Sequence, residues 1–371
     1  MAESTRLVDL IQLRIDEFLG ERRSELVAIS PELDPVMTLA SSYLSGGKRF
    51  RGLFCYWGWQ AVAGSSGSDP LAVEDATTEL PAIVLAAAAL EVFHAAALVH
   101  DDIMDNSDTR RGAPSAHRQF QSIHSSSGWT GPADAFGRSA ALLLGDLLLG
   151  WSDDLFDRAG SLVTRSAELA GRAEFASMRT EVSAGQYLDI LEENAWVAHP
   201  DSTALARAHR VIVYKSAKYT IEAPLAIGAS LGGGSFEQVA SLRAFGLPLG
   251  VAYQLRDDLL GVFGDPAVTG KPAGDDLREG KRTVLIALAR QRLAAPIREL
   301  VDELLGDAEL DDEQVSMIRS ALVECGAVDE VERIIAHNVE RATLALQDAP
   351  LSAGARRSLH DLAITVTRRA S

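Results

Sequence analysis

Apolar residues recur with a helical period along most of the chain. Between Thr5 and Ile29, Leu7, Leu10, Ile11, Ile15, Phe18 and Leu19 form one stripe, and the opposite face alternates in charge as a solvated face does. Ser30-Pro31 and Asp34-Pro35 break this helix, and a second one runs to Tyr43. Ala63 to Thr78, rich in Gly, Ser and Asp, reads as a loop. Pro81 suits the first position of the helix that follows. That helix carries the longest apolar run, Ala82 to Val99, interrupted only by Glu91 and His94. Ala113 to Gly137 is the longest irregular stretch, and a mobile flap and a passive surface insertion are equally open there. From Phe136 helices follow in succession, one of them bearing Pro248. Gly264 to Arg282 reads as a loop, and the rest as capping helices.

Abundant Ala and Leu, only 6% aromatics and no alternating β-branched runs favour an all-α protein. With 371 residues, 47% of them hydrophobic, the chain can bury a large core. No fixed-period repeat, low-complexity tract or linker marks a boundary, so residues 1–371 are expected to form a single domain. The charged interruptions of the apolar run and its small residues point to a soluble core helix, not a transmembrane span. The N-terminus lacks a signal-peptide run. Cys55 and Cys325 make no metal-binding spacing and read as reduced thiols, which fits a cytoplasmic protein. A formal charge of −17 argues against nucleic-acid binding. An anionic substrate would have to be held by metals and by local Lys and Arg clusters.

Such clusters exist. The apolar helix breaks into L-V-H-D-D-I-M-D-N-S-D-T-R-R-G, which places Asp101 and Asp105 one turn apart on one face, with Asp102 beside them and Arg110 and Arg111 close behind. Carboxylates that hold a divalent cation, followed by paired guanidiniums, suit a ligand carrying metal and phosphate together. One acidic helix end alone reads equally well as solvated surface. A second one decides between them: Q-L-R-D-D-L-L-G-V-F-G-D again ends an apolar helix in Asp257 and Asp258. If the two ends face each other, they form one multi-metal site. In S-G-G-K-R-F-R-G, Gly46 and Gly47 allow a tight turn, and Lys48, Arg49 and Arg51 are expected in the first turn of the next helix, a ready anion site. A-G-Q-Y-L-D-I-L puts Gln186 and Asp189 on one face. Y-K-S-A-K-Y places Lys215 and Lys218 on an apolar helix, where a lysine needs an anionic partner. On spacing alone, His94 reads as a satisfied core residue.

From about residue 40 to 285 the sequence resembles the trans-type (E-) polyprenyl diphosphate synthases, and most closely the bacterial geranylgeranyl diphosphate synthases. The shared motifs are G-G-K-R-F-R, D-D-I-M-D followed by R-R-G, G-Q-x-x-D at Gly185 to Asp189, K-S-A where most members have K-T-x, and Q-x-x-D-D at Gln254 to Asp258. The resemblance implies the isoprenoid synthase fold, one large helical bundle with a central active-site cavity, and a homodimer. It implies a Mg²⁺-dependent prenyltransferase that condenses isopentenyl diphosphate with allylic diphosphates. Asp101 and Asp105 would bind two Mg²⁺ ions and Asp257 a third. Arg110, Lys215, Lys271 and Lys281 would hold the allylic diphosphate. Gly47, Lys48, Arg51, His94 and Arg111 would hold isopentenyl diphosphate, which displaces the core reading of His94. Ser216 and Gln254 would lie near the allylic carbon. Asp102, Gln186, Asp189 and Asp258 would support these groups.

Two positions depart from the pattern. Gly261 stands where the second motif usually ends in Asp, with Asp265 one further turn along as a substitute through water. Ser216 stands where Thr is common. Product length follows from the helix leading to Asp101. Ala96 and Ala97, one turn back, leave room, whereas Phe93, two turns or about 12 Å back, would form a floor and suggest a C20 product. A synthase of longer products (C25 and up), a class I terpene cyclase and a non-catalytic subunit of a heteromeric synthase are the alternatives. The basic site and the second Asp pair argue against the cyclase, and only Gly261 hints at the subunit. Arg368 and Arg369 read as a frayed basic tail.

Overall fold

The computed structural model describes residues 2–63, 80–264 and 274–367. It is all-α, as expected: the only strands among the described residues are two of two residues each. The residues fall into two compact units. The first comprises residues 1–172, 227–234 and 352–355, and the second residues 173–226, 235–351 and 356–371.

In the first unit, α1 (Ala2–Ile29) ends before Pro31, which opens a single 3-10 turn, and α2 (Asp34–Tyr43) follows. The stripe of α1 is the face it buries: Leu7, Ile11, Ile15, Phe18 and Leu19 are inaccessible, and Leu10 is half-buried. Then come α3 (Phe50–Ala63), α4 (Leu80–Met104), α5 (Ala116–Ser126) and α6 (Ala133–Gly160). Helix α4 is the axis of this unit and packs on α1, α3 and α6. It is long and apolar enough to cross a membrane, but 83% of its apolar window is buried inside the protein. Burying an Ala-rich helix on three sides requires close approach, and small side chains permit it.

The irregular stretch expected at 113–137 is mostly ordered. A hairpin pairs β1 (Thr109–Arg110) with β2 (Ala113–Pro114), and α5 follows at once. The α5 sequence A-H-R-Q-F-Q-S-I-H has few apolar residues, so the pattern hid a helix that buries Ala116, His117, Phe120 and His124 against α6. Helix α6 itself begins at Ala133, three residues before the expected Phe136.

Helix α7 (Arg165–Ala195) precedes α8 (Ala204–Val211). The next segment, Ile212–Glu222, is a π-helix, and it runs on into α9 (Ala223–Leu231). Helix α10 (Phe236–Phe263) starts from a capping box of Ser235 and Gln238 and carries Pro248 inside it. The short α11 (Asp275–Arg278) is followed by α12 (Val284–Arg292), α13 (Ala295–Leu304), α14 (Asp312–Glu324), α15 (Ala327–Gln347) and α16 (Ala353–Thr367). Helices α12, α14 and α15 are not mere caps. Val284, Ile286, Leu288, Ile318, Leu322, Val331 and Ile335 share one core with Leu255, Leu259 and Val262 of α10. The expected loop at 63–78 lies outside the described residues apart from Ala63, which ends α3.

Candidate active site

In the first unit the groups collect at the C-terminal end of α4. Asp101 lies in its last turn and Asp105 just past it, and the Asp105 N–H still donates to the Asp101 carbonyl at 2.8 Å. The helical spacing therefore holds, and both carboxylates are half-buried on one face. Asp102, between them in sequence, is fully buried. The Tyr43 hydroxyl donates to its Oδ2 at 2.8 Å, and Arg110 donates Nε to its Oδ1 at 2.8 Å and Nη2 to the same atom. The Tyr43 oxygen in turn accepts the Ala116 N–H at 2.8 Å. Asp102 is thus an anchor tying α2, α4 and α5 together, with no face free for a ligand. Burial and the Asp102 charge raise the Tyr43 pKa far above its ordinary value. For Arg110 burial works the other way, but the Asp102 pair outweighs it and holds the guanidinium charged. Arg110 also comes within 3.6 Å of Asp101.

The basic turn meets the second arginine of the pair. Gly46 and Gly47 both have positive φ, and the Arg111 guanidinium lies flat over Gly47, 3.5 Å from where a Cβ would stand. Arg111 donates to the Ser45 carbonyl at 3.2 Å. His94 is held neutral: burial first, then the charges of Arg51, Arg111, Arg110 and Arg49, push its pKa well below the ordinary value. Residues far apart in sequence are thus brought together: Arg51, Arg110 and Arg111 lie close enough to act on His94, and Arg111 lies against Gly47. The first-turn placement of the cations needs correction. Helix α3 begins only at Phe50, so Lys48 and Arg49 precede it, and Arg49 has φ +50° and turns inward. Lys48 stays exposed. Along α4 behind Asp101, Ala96 and Phe93 are buried and Ala97 is half-buried.

The second unit holds the remaining motifs. Gly185 on α7 is required by close approach, since a Cβ there would stand 2.3 Å from the Lys215 backbone nitrogen. Gly250 on α10 admits the π-helix in the same way, 2.5 Å from the Ala217 carbonyl oxygen. Wedged between these backbones, Lys215 reaches Asp189 and Lys218 reaches Glu181. The expectation that each lysine needs an anion is met within the protein, and Ser216 lies half-buried between them. A π-helix is rare and occurs mostly as an interruption of an α-helix, frequently at functional sites. No periodicity in K-S-A-K-Y-T-I-E announces it.

At the second Asp pair, Asp257 is exposed and Asp258 buried. Gln254 donates to Asp258 at 2.8 Å, yet burial, with Asp276 and Asp257 nearby, pushes the Asp258 pKa up to about 8. Asp276, absent from the sequence-based set, fills the gap left by Gly261: its Oδ2 is 2.0 Å from where a Gly261 Cβ would be. Lys281 pairs with Glu279 at 2.5 Å and approaches Asp276 at 3.9 Å. Lys271, Asp265, Arg368 and Arg369 lie outside the described residues.

Among the described residues, no three carboxylate, histidine or cysteine side chains are already gathered around a metal position. Asp101 and Asp105 nonetheless fit Mg²⁺, which takes one or two carboxylates and completes its shell with water and substrate phosphate.

Known proteins resemble the chain over most of its length. The model of the polyprenyl synthetase family matches residues 34–322. The geranylfarnesyl diphosphate synthase of Aeropyrum pernix is 32% identical over 308 residues, 82% of this chain and 85% of that protein. Geranylgeranyl pyrophosphate synthase 11 of Arabidopsis thaliana, a chloroplast protein, is 32% identical over 77% of this chain and 74% of its own. The crystal structure of geranylgeranyl pyrophosphate synthase from Corynebacterium glutamicum, complexed with isoprenyl diphosphate and magnesium, superposes with a TM-score of 0.89 at 38% identity, over 98% of this chain and 99% of that one. The chain has the isoprenoid synthase fold and belongs to the polyprenyl synthetase family of prenyltransferases.

Proposed function

We propose that the protein condenses isopentenyl diphosphate with allylic diphosphates, head to tail and in trans, to give geranylgeranyl diphosphate. The observation that supports this reading is the cluster of Arg51, Arg110 and Arg111 around His94, with Arg111 laid against Gly47 and Arg110 within 3.6 Å of Asp101. A diphosphate acceptor pocket next to a Mg²⁺-diphosphate donor site is what a two-diphosphate condensation needs.

In this reading Lys48, Arg51, His94 and Arg111 bind the diphosphate of isopentenyl diphosphate. Neutral His94 donates a hydrogen bond without adding another positive charge to the arginines. Asp101, Asp105 and Asp257 would hold Mg²⁺, and Arg110, Lys215, Lys271 and Lys281 would hold the allylic diphosphate. When bound, Mg²⁺ supplies Lewis-acid neutralisation of the pyrophosphate leaving group. The lysines and arginines share that task, which is electrostatic stabilisation of developing charge. The allylic C–O bond breaks, the double bond of isopentenyl diphosphate attacks the cation, and a proton passes to the departing pyrophosphate. No protein base is required. Ser216 and Gln254 present oxygens to the cationic carbon, and the apolar wall of α4 keeps out water that would trap it.

The C20 length rests on Phe93, a buried aromatic two turns behind Asp101, with the buried Ala96 leaving room above it. A C25 product is the second reading, favoured by the geranylfarnesyl diphosphate synthase of Aeropyrum pernix among the relatives. A homodimer belongs to the same proposal, supported by Leu142 and Leu143, which α6 leaves 51% and 63% exposed. The test is release of pyrophosphate by the purified protein alone, dependent on both substrates and on Mg²⁺, and lowered by orders of magnitude in Asp101→Ala. Near-normal turnover of that variant at saturating Mg²⁺ would sink the assignment.

A further inference from the structure

Two buried charges beside the basic turn have no part in the proposed chemistry. Arg49 is 5% exposed and Glu91 4%. Arg49 is flanked by Lys48 and two residues from Arg51, yet it faces the interior. Its Nη2 donates to the Gln12 side chain and to the Leu44 carbonyl, and its Nη1 lies 3.5 Å from Glu91 Oε2. The backbone takes a left-handed conformation at Arg49, φ +50°, which an arginine adopts only when its surroundings compel it. Glu91 has a second task. Its Oε1 accepts the Gly52 N–H at 3.0 Å, in the first turn of α3. A buried carboxylate is costly without such partners, and here the guanidinium and the N–H supply them.

The pair joins the basic turn to α4. Glu91 stands three residues before His94 on α4, so the two share a helical face. Arg49 stands between Lys48 and Arg51 on the turn. The turn in turn carries Gly47 and Ser45, against which Arg111 is laid. Arg49 reaches inward to Glu91 on α4, and Lys48 beside it stays exposed.

We infer that the buried Arg49–Glu91 pair is a positioning device that sets the spacing between the cations of the basic turn and His94, and so sets affinity for the diphosphate of the non-allylic substrate. Neither residue touches that substrate. The inference rests on the proposal that Lys48, Arg51, His94 and Arg111 bind isopentenyl diphosphate.

Steady-state kinetics of the full chain tests it, with isopentenyl diphosphate and the allylic primer varied separately. Glu91→Gln keeps an acceptor for Gly52 N–H and removes the charge facing Arg49, so the fold is retained. The expected result is a rise of about tenfold in KM for isopentenyl diphosphate, with kcat and the allylic KM changed by less than about twofold. Arg49→Lys, which keeps the charge but not the fork, is expected to lie between wild type and Glu91→Gln. A structural role alone would lower the unfolding midpoint or the active fraction and leave KM untouched. An unchanged KM in Glu91→Gln, or a fall in kcat with both KM values constant, overturns the positioning role. Lys48→Ala separates the two claims. If it raises KM for isopentenyl diphosphate while Glu91→Gln does not, the pocket stands and the positioning role fails. If Lys48→Ala leaves that KM unchanged, the pocket itself is misassigned and the inference falls with it.

Discussion

Replacing Gly185 by alanine gives the sharpest reading of the packing around Lys215. In the interior of an ordinary helix this change stabilises by about 1 kcal/mol, because alanine has the higher helix propensity. At Gly185 the new Cβ would stand 2.3 Å from the Lys215 nitrogen, 2.5 Å from the Tyr214 carbonyl carbon and 2.7 Å from the Lys215 Cα. Ordinary contact begins near 3.4 Å, so the π-helix backbone must retreat by about 1 Å. Backbone, unlike the tip of a side chain, cannot swing aside. Overpacking of this kind costs about 1–3 kcal/mol, and after the propensity gain a net loss of about 1–2 kcal/mol remains. Gly20 on α1 supplies the control, since nothing lies within 4 Å of its Cβ position. Thermal and urea unfolding followed by circular dichroism should move in opposite directions, with a lower midpoint for Gly185→Ala and a higher one for Gly20→Ala. A Gly185→Ala protein as stable as wild type, or more so, would refute the close approach of the two helices. The displaced Lys215 should also raise KM for the allylic substrate.

Three further outcomes follow from individual contacts. Tyr43→Phe leaves the buried Asp102 Oδ2 and the Ala116 N–H each short of a partner. A loss of about 2 kcal/mol is expected in urea unfolding, and an unchanged midpoint would show that water replaces the hydroxyl. Burial, then the charges of Arg118 and Arg138, hold the His117 pKa below its ordinary 6.5. As pH falls below 6.5 the unfolded chain takes up a proton that the folded one refuses, so this part of the stability is present above 6.5 and is lost on acidification. His117→Asn should flatten the decline in stability between about pH 7 and 5, and an identical slope in both proteins would exclude His117 as a source. Phe93→Ala should lengthen the product by one or more isoprene units, measured by chromatography of the dephosphorylated alcohols, and an unchanged distribution would remove Phe93 as the floor.

Much of the fold was legible because helices declare themselves by period. The α1 stripe is the face it buries, and Asp101 and Asp105 keep their one-turn spacing past the end of α4. What escaped is what depends on a neighbour remote in sequence. A polar α5 is helical because α6 covers it. The π-helix forms where α7 and α10 offer glycines to its backbone. Asp276 fills the space over Gly261 from a helix that begins fourteen positions later, at Asp275, and no local pattern reports this. Glu91 did leave a signal, since a lone acid in an apolar helix has to have a partner. The identity of that partner, an arginine among others read as phosphate ligands, required coordinates.

The most direct measurement is the chain length of the product. The purified protein alone would be incubated with Mg²⁺, isopentenyl diphosphate and, in turn, C5, C10 and C15 allylic diphosphates, and the dephosphorylated products separated by length. A C20 alcohol is the expected result. Longer alcohols would keep the condensation chemistry and contradict the Phe93 floor. No condensation with any primer would contradict the proposed activity of the protein alone, and would turn attention to Gly261 and to a missing partner subunit.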